Sequence, residues 1–560
     1  MLKMGIPRIF KILFLVALFS GCGVMSKMSK KYDSVGINVQ PKVLQVHGGN
    51  VDVNLDFIFP EKYFGKKALM EITPVLVYDN GETALKSIKV QGEEAVGGEA
   101  TIFSVKGGSV KYEDVIAYNE DMLNSVLELR TNTKINDKIK NFPTRPITNG
   151  VIATSKRVLD NEDVANNNHG YEYETILEES ATIYFLVNQS NIRTTEKSDQ
   201  DIKKLKDFAD RGYKTHSIEI KSFASPEGNV STNDNVSNQR MRSTVRYTKQ
   251  ILRSLKVDGA KDESLYTETS MGEDWDGFRD LISSSKIKDK RRINNIVNST
   301  FDVNKREQQI RDLAEIYVAI ENNVLPQLRK ATVVIRSYEP KRTDQEIKEM
   351  VLSNPAELTV NEMLFSATMY SDNKVKEEIY NKVVELHNDW RAYNNIACIY
   401  LSQGKIDQAE SYLSKAESLT SKKQDDILIN QGIIAARRGE LQNAQNLFSQ
   451  SRVGEKNQAI LDLRKGDYDR AARFYKNGKS YNATLSQLMN GKTTARCNES
   501  TANCYYLNAI GAARSGDISE VMTNLNKAIS KDSNFKDQAA QDLEFIDLRK
   551  NEDFIAIINK

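Results

Sequence analysis

The spacing of apolar residues changes character along the chain. From about residue 36 it has a period of two. Val51, Val53, Leu55, Phe57 and Phe59 alternate with Asp52, Asn54 and Asp56, with one lapse at Ile58, which describes a half-buried strand. Ala68 to Tyr78, Ala84 to Gln91, Ala100 to Val105 and Val126 to Arg130 read the same way, and Asp79-Asn80-Gly81 is a tight-turn signal between two of them. Short strands separated by turns predict an antiparallel β-sandwich over 36–165. The aromatics of Phe59-Pro60-Glu61-Lys62-Tyr63-Phe64 are read as a plug closing its end, with a binding loop as the alternative. Pro143, Pro146, Asn149-Gly150 and Asn166-Asn167-Asn168 mark 141–170 as a linker region.

The next stretch mixes the two periods. Ile183 to Asn188 and the Ile218–Ile220 stretch read as strands, and Ile202, Leu205, Phe208 and Ala209 lie at helical spacing between them. Ser225-Pro226-Glu227-Gly228 is a turn, and Ser231, Asn233 and Asp234 offer caps for a helix carrying Val236, Arg240, Val245 and Ile251. Leu265 to Met271 reads as a third strand, Gly272 to Phe278 as a capped helix start with Trp275 packed inward, Arg306 to Leu325 as a helix, and Thr332 to Ile335 as a closing strand. One mixed sheet with helices on one face fits this order.

This middle part resembles the C-terminal domain of OmpA, a periplasmic module that binds peptidoglycan. The resemblance rests on Ser222-Phe-Ala-Ser225-Pro-Glu-Gly228 followed by Asn233-x-x-Val236-Ser237-x-x-Arg240-Met241-x-x-Thr244-Val245, and covers about 181–336 within a domain at 175–340. It implies a clamp in which a carboxylate and the helix arginine grip the zwitterionic end of a peptide stem. Arg240 holds the arginine position, while Ser225 stands where the family has Asp and Glu227 lies two residues on. Arg240, Asn233, Ser225 and Glu227 are therefore the candidate peptidoglycan residues, with weak binding expected because half of the clamp has moved; the alternative is an OmpA-like fold kept as an interaction platform, with Arg240 in a structural ion pair.

Beyond about 345 the pattern is helical and repeats. Tyr393, Ile396, Ala397, Tyr400, Gly404, Ala409, Leu413 and Ala416 resemble the tetratricopeptide signature. Leu428, Gly432, Ala435, Gly439, Ala444 and Phe448 repeat it, and Gly404 to Gly439 gives a period of 35. Gly466, Ala471 and Tyr475 form a shortened copy, Ala509, Gly516, Val521, Leu525 and Ala528 another, and Met363 to Val383 a weaker first one. The resemblance implies an all-α solenoid over 355–560 that binds extended peptides or partner proteins in a groove and is not usually catalytic.

The N-terminus sets the expected compartment. Lys3, Arg8 and Lys11 precede an apolar run, Ile12 to Phe19, too short to span a bilayer. Phe19-Ser20-Gly21-Cys22 resembles the lipobox of bacterial lipoproteins, which implies a signal peptide over 1–21 and acylation of Cys22. Residues 22–35 read as a tether, made basic by Lys27, Lys30 and Lys31. In lipoproteins of the Bacteroidetes type, an acidic cluster there marks export to the surface. The basic tether implies retention on the outer membrane, facing the periplasm.

Charge and chemistry change this picture little. With 78 basic and 76 acidic residues there is no global field for nucleic acid. Cys398 reads as a buried core residue, and Cys497 and Cys504 as a local disulfide in an oxidising compartment. The four His are scattered, and no nucleophile elbow, phosphate loop or zinc ligand set occurs, so no catalytic residue, metal or cofactor is expected. The expected function is a non-catalytic scaffold tying an outer-membrane assembly to the wall or to partner proteins through the repeats. A fimbrial or secretion accessory protein, or a wall or glycan hydrolase, are the alternatives.

Overall fold

The computed structural model describes residues 23–559. The chain forms two compact units: the residues up to Asn168 together with those from Tyr380 onward, and His169–Ile379.

The first unit opens with strands β1 (Gly36–Gln40), β2 (Leu44–His47), β3 (Asn50–Phe59), β4 (Leu69–Tyr78), β5 (Gly81–Ala84), β6 (Ile88–Gly92), β7 (Ala100–Ile102), β8 (Gly108–Ala117), β9 (Val126–Ile135), β10 (Lys138–Asn141), β11 (Arg145–Asn149) and β12 (Val151–Ile152). One sheet runs β1-β3-β2-β12 with β8 along β3. The other runs β10-β9-β4-β6-β7, with β11 on β9 and β5 on β4. The period-two pattern has its expected consequence in β3. Val51, Val53, Leu55, Phe57 and Phe59 are buried while Asn50, Asn54 and Ile58 face out. They share one core with Met70, Ile72 and Leu76 of β4 and Leu127 and Leu129 of β9, so both sheets enclose it. Asp79-Asn80 turns β4 into β5, with Tyr78 opposite Gly81. Phe59, Tyr63 and Phe64 are buried against one another, with Phe59 and Phe64 edge to face at 5.5 Å.

Two expected loose segments are folded. Residues 23–30 form a helix, and Met25, Met28, Tyr32 and Val35 enter the β core. These four follow helical spacing, which the basic residues between them obscure. The Tyr32 hydroxyl bonds the Thr131 hydroxyl at 2.6 Å. The linker region also contributes β11 and β12, and its remainder, to Asn167, is pinned to the helices described below.

The rest of this unit is helical. Trp390–Ser402 pairs with Ile406–Ser418, Asp425–Arg437 with Leu441–Ser449, Glu455–Lys465 with Tyr468–Tyr475, and Ala502–Ser515 with Ile518–Lys531. Tyr481–Met489 is followed by a loop in place of a partner helix. A side chain at Gly432 would start 2.4 Å from the Phe448 ring, so the glycine permits that helix pair its close approach. Gly466 and Gly516 end their helices in the left-handed region, at φ 84° and 78°.

The second unit holds β13 (Ile176–Tyr184), β14 (Thr215–Ala224), β15 (Tyr266–Glu273) and β16 (Lys330–Tyr338), in the order β13-β16-β14-β15. The closing strand β16 sits between β13 and β14, antiparallel to both, and β14 runs parallel to β15. Helices Gln200–Ala209 and Val230–Ser254 place Ile202, Leu205, Phe208, Val245 and Leu252 in the core with Ile218, Ile220 and Val333. Residues 275–328 form a helical insertion with its own core around Phe278, Ile293, Ile310 and Ile320. Trp275 is half-buried there, under the Arg306 guanidinium at 4.5 Å. The single helix expected over 306–325 is broken, with Ala314 at φ 45° between Val303–Arg311 and Glu315–Asn323. Helices Asp344–Ser353 and Val360–Thr368 also lie in this unit, and the division between the units falls within Asn373–His387, inside the weak first repeat.

Candidate functional site

In the helical array, five asparagines project from the first helix of successive repeats: Asn394, Asn395, Asn430, Asn457 and Asn482, all buried. Four of them stand nine residues before a turn glycine: Asn395 before Gly404, Asn430 before Gly439, Asn457 before Gly466 and Asn482 before Gly491. That constant offset puts each at the same place on its helix, so stacking the repeats lines them up.

An asparagine amide offers an acceptor oxygen and two donor hydrogens. It can therefore satisfy the N–H and C=O of one extended residue, as a neighbouring strand would. The chain itself supplies the strand. Residues 157–167 have no helix or sheet of their own. The Leu159 N–H donates to Asn482 Oδ1 at 3.0 Å, and Asn482 Nδ2 donates to the Leu159 carbonyl at 3.0 Å. Asp163 is held the same way by Asn457, at 2.7 and 2.9 Å, and Ala165 by Asn430, at 2.9 Å each way. Asn394 adds a second donor to the Ala165 carbonyl at 2.8 Å, and the Asn167 N–H donates to Asn395 at 2.8 Å. We call this segment the strap.

The side chains of the strap meet fixed charges. Glu162 pairs with Arg437 at 2.7 Å and Arg464 at 3.4 Å, Lys456 reaches Asp163 at 2.7 Å, and Arg464 also holds Asp160. Arg157 pairs with Asp542 at 2.9 Å and lies over the Tyr506 ring at 4.5 Å. Val158 and Leu159 pack on the apolar cluster of Tyr481, Leu485 and Leu488. The Cys398 thiol faces the Ala165 carbonyl at 3.3 Å, and burial pushes it up to about 12, so it stays a thiol at neutral pH. One repeat further on, Asn508 grips the N–H and carbonyl of Cys497 at 2.7 and 3.0 Å, in the same mode. Cys497 is bonded to Cys504, with sulfurs 2.05 Å apart.

None of these asparagines was a candidate in the sequence reading. The signal that finds four of them is the recurring nine-residue offset to glycine. The groove expected to take a partner is, along this lane, already filled by the chain.

The turn after β14 gathers three of the four candidate wall-binding residues. Ser225 Oγ donates to Glu227 at 2.6 Å, and Arg329 pairs with Glu227 at 2.9 Å. Asn233 Nδ2 donates to the Glu227 carbonyl at 3.1 Å and to the Glu273 carboxylate at 2.8 Å. Arg240 turns elsewhere. It is 1% exposed and donates to the carbonyls of Gln189, Phe223 and Leu186 at 3.0, 2.8 and 3.1 Å. Burial, with the Arg329 charge nearby, pushes its guanidinium down to about 10, which leaves it cationic at neutral pH. The insertion adds Glu307, whose Oε2 accepts from the Gly228 N–H at 3.1 Å and from Arg311 at 3.2 Å. Its Oε1 is buried without a donor, and burial together with the neighbouring Glu273 pushes its carboxyl up to about 7.

Cys22 lies outside the described residues. Among the described residues, no group of three or more His, Cys, Asp and Glu could hold a metal ion, and no helix is long and apolar enough to cross a membrane.

No family model matches the chain, and no curated protein matches it. Among solved structures it is similar to a tetratricopeptide repeat protein from Parabacteroides merdae, at 16% identity and a TM-score of 0.27, over 36% of this chain and 91% of that one. It is also similar to the APC/C hetero-tetramer Cut9–Hcn1, at 12% identity and a TM-score of 0.20, over 63% of this chain and 60% of that one. The repeat character stands on the chain's own paired helices and regular glycines.

Proposed function

We propose that the protein is a non-catalytic interaction scaffold of a bacterial envelope, anchored through Cys22 to the outer membrane and facing the periplasm. The observation that carries the scaffold reading is the asparagine lane: successive repeats hold an extended chain by its backbone. The lipobox resemblance supports the anchor. The inert Cys398 thiol fits a scaffold better than a nucleophile.

For the middle unit, with its OmpA-like sequence pattern, the reading is an interaction platform. An arginine whose donors serve three backbone carbonyls braces the fold, and Glu227 already has Arg329 as its cation. A peptidoglycan clamp needs both charges available to the ligand.

Crosslinking in intact membranes, followed by capture of the protein, tests this reading. Defined envelope-protein adducts are expected from the wild type. Cys22→Ala should move the protein from the membrane to the soluble fraction. A protein that stays membrane-bound without lipid label, or that yields no adduct, would overturn it.

A further inference from the structure

We infer that the asparagine lane is a binding site for an extended acidic peptide supplied by a partner, with residues 157–167 as its built-in competitor. The inference deepens the scaffold reading by naming the class of ligand.

The lane reads two things. The asparagines read backbone, which any extended chain presents. The charges read sequence: Arg437, Arg464 and Lys456 meet Asp160, Glu162 and Asp163 in the run Asp160-Asn161-Glu162-Asp163. If the strap leaves, the nearly buried Arg437 loses its counter-charge, so an incoming chain must bring a carboxylate to that point. An apolar site beside it takes Val158 and Leu159. Asp542 likewise loses Arg157, so the ligand is an extended segment with a basic residue, two apolar residues and then an acidic cluster, net acidic overall.

The strap is covalently continuous at both ends, so it competes at an effective concentration on the order of millimolar. A partner segment gains the lane only when its own contacts or local concentration exceed that. The arrangement keeps the cationic lane covered until such a segment arrives.

The test uses the full-length chain and a fluorescein-labelled synthetic peptide with the sequence of residues 155–168, read by anisotropy. The wild type should bind weakly. The chain carrying Glu162→Gln, whose own strap is weakened, should bind the peptide about tenfold tighter or more. Adding Arg437→Met or Asn457→Ala should remove that gain. A peptide with Asp160, Glu162 and Asp163 changed to their amides should bind about tenfold more weakly or worse. Equal binding of the acidic and amide peptides, or no gain from Glu162→Gln, would overturn the inference.

Hydrogen exchange on the wild type guards against a variant that fails to fold. Peptide at about 10 mM, above the tethered competitor, should speed exchange of the strap amides, and unchanged amides would overturn the inference. A scaffold that meets its partners by other faces would still crosslink in intact membranes, so failure of this site and failure of the scaffold reading are distinguishable.

Discussion

Glu162 and Arg437, 275 positions apart, form an ion pair at 2.7 Å with side chains only 1% and 5% exposed. Arg437 also donates to the carbonyls of Leu401 and Asp160, at 2.8 and 3.2 Å. It thereby ties the strap to two consecutive repeats. Removing one member leaves the other only its longer contact, Arg464 at 3.4 Å for Glu162 or Asp160 at 3.9 Å for Arg437, so the cost is that of a lost charged hydrogen bond, about 2–3 kcal/mol, and not that of a fully stranded charge. Glu162→Gln and Arg437→Met should each lower the stability of the first unit by roughly that amount in urea unfolding. The double variant should recover part of it, and strictly additive losses would count against a coupled pair.

Asn457 holds one strap residue by both of its backbone groups. Asn457→Ala leaves a donor and an acceptor without partners, each costing about 1–3 kcal/mol if it stays dry. The Asp163 amide should then exchange faster while helix Glu455–Lys465 keeps its protection. Asn457→Asp should be worse than alanine, since it sets a carboxylate against a carbonyl.

Arg240 joins three backbone segments through one guanidinium. Lysine has one nitrogen and cannot reach all three carbonyls. Arg240→Lys and Arg240→Met should each destabilise the second unit by about 2 kcal/mol or more, read by its unfolding midpoint. Pull-down on sacculi, corrected for folded fraction, should not change. A selective loss of pull-down in a fully folded Arg240→Lys protein would restore the clamp reading.

Glu307 gives the second unit a pH dependence. Its folded value of about 7 lies above the ordinary 4.5, so between these pH values the folded chain keeps a proton that the unfolded chain releases. The contribution of this one group should be full below pH 4.5, fall as pH rises to about 7 and be level above, read as the difference between wild type and Glu307→Gln in urea unfolding across that range. At about 1.4 kcal/mol per pH unit, the whole fall is at most about 3.5 kcal/mol. Glu307→Gln should flatten it and leave the protein more stable at pH 8 than the wild type.

Local signals carried well from sequence to structure. The alternation in β3, the turn at Asp79-Asn80 and the spacing of Gly404 and Gly439 each act within a few residues, so the sequence displays them directly. The strap was illegible for the opposite reason. Its polar, asparagine-rich sequence has no period, and its partners lie more than 200 positions away, as with Asn167 and Asn395. Met25 and Met28 were hidden similarly, because lysines interrupt their helical spacing. At the turn after β14 the sequence shows Ser225, Glu227 and Asn233 close together in the chain, but the bonding of Arg240 to three carbonyls depends on where other segments place those carbonyls.

Native hydrogen exchange across residues 157–168 tests the central claim most directly. The Leu159, Asp163, Ala165 and Asn167 amides should be protected to about the level of helix Asp425–Arg437, since each donates to a buried asparagine. Exchange of all four at the rate of an unstructured peptide would contradict the account.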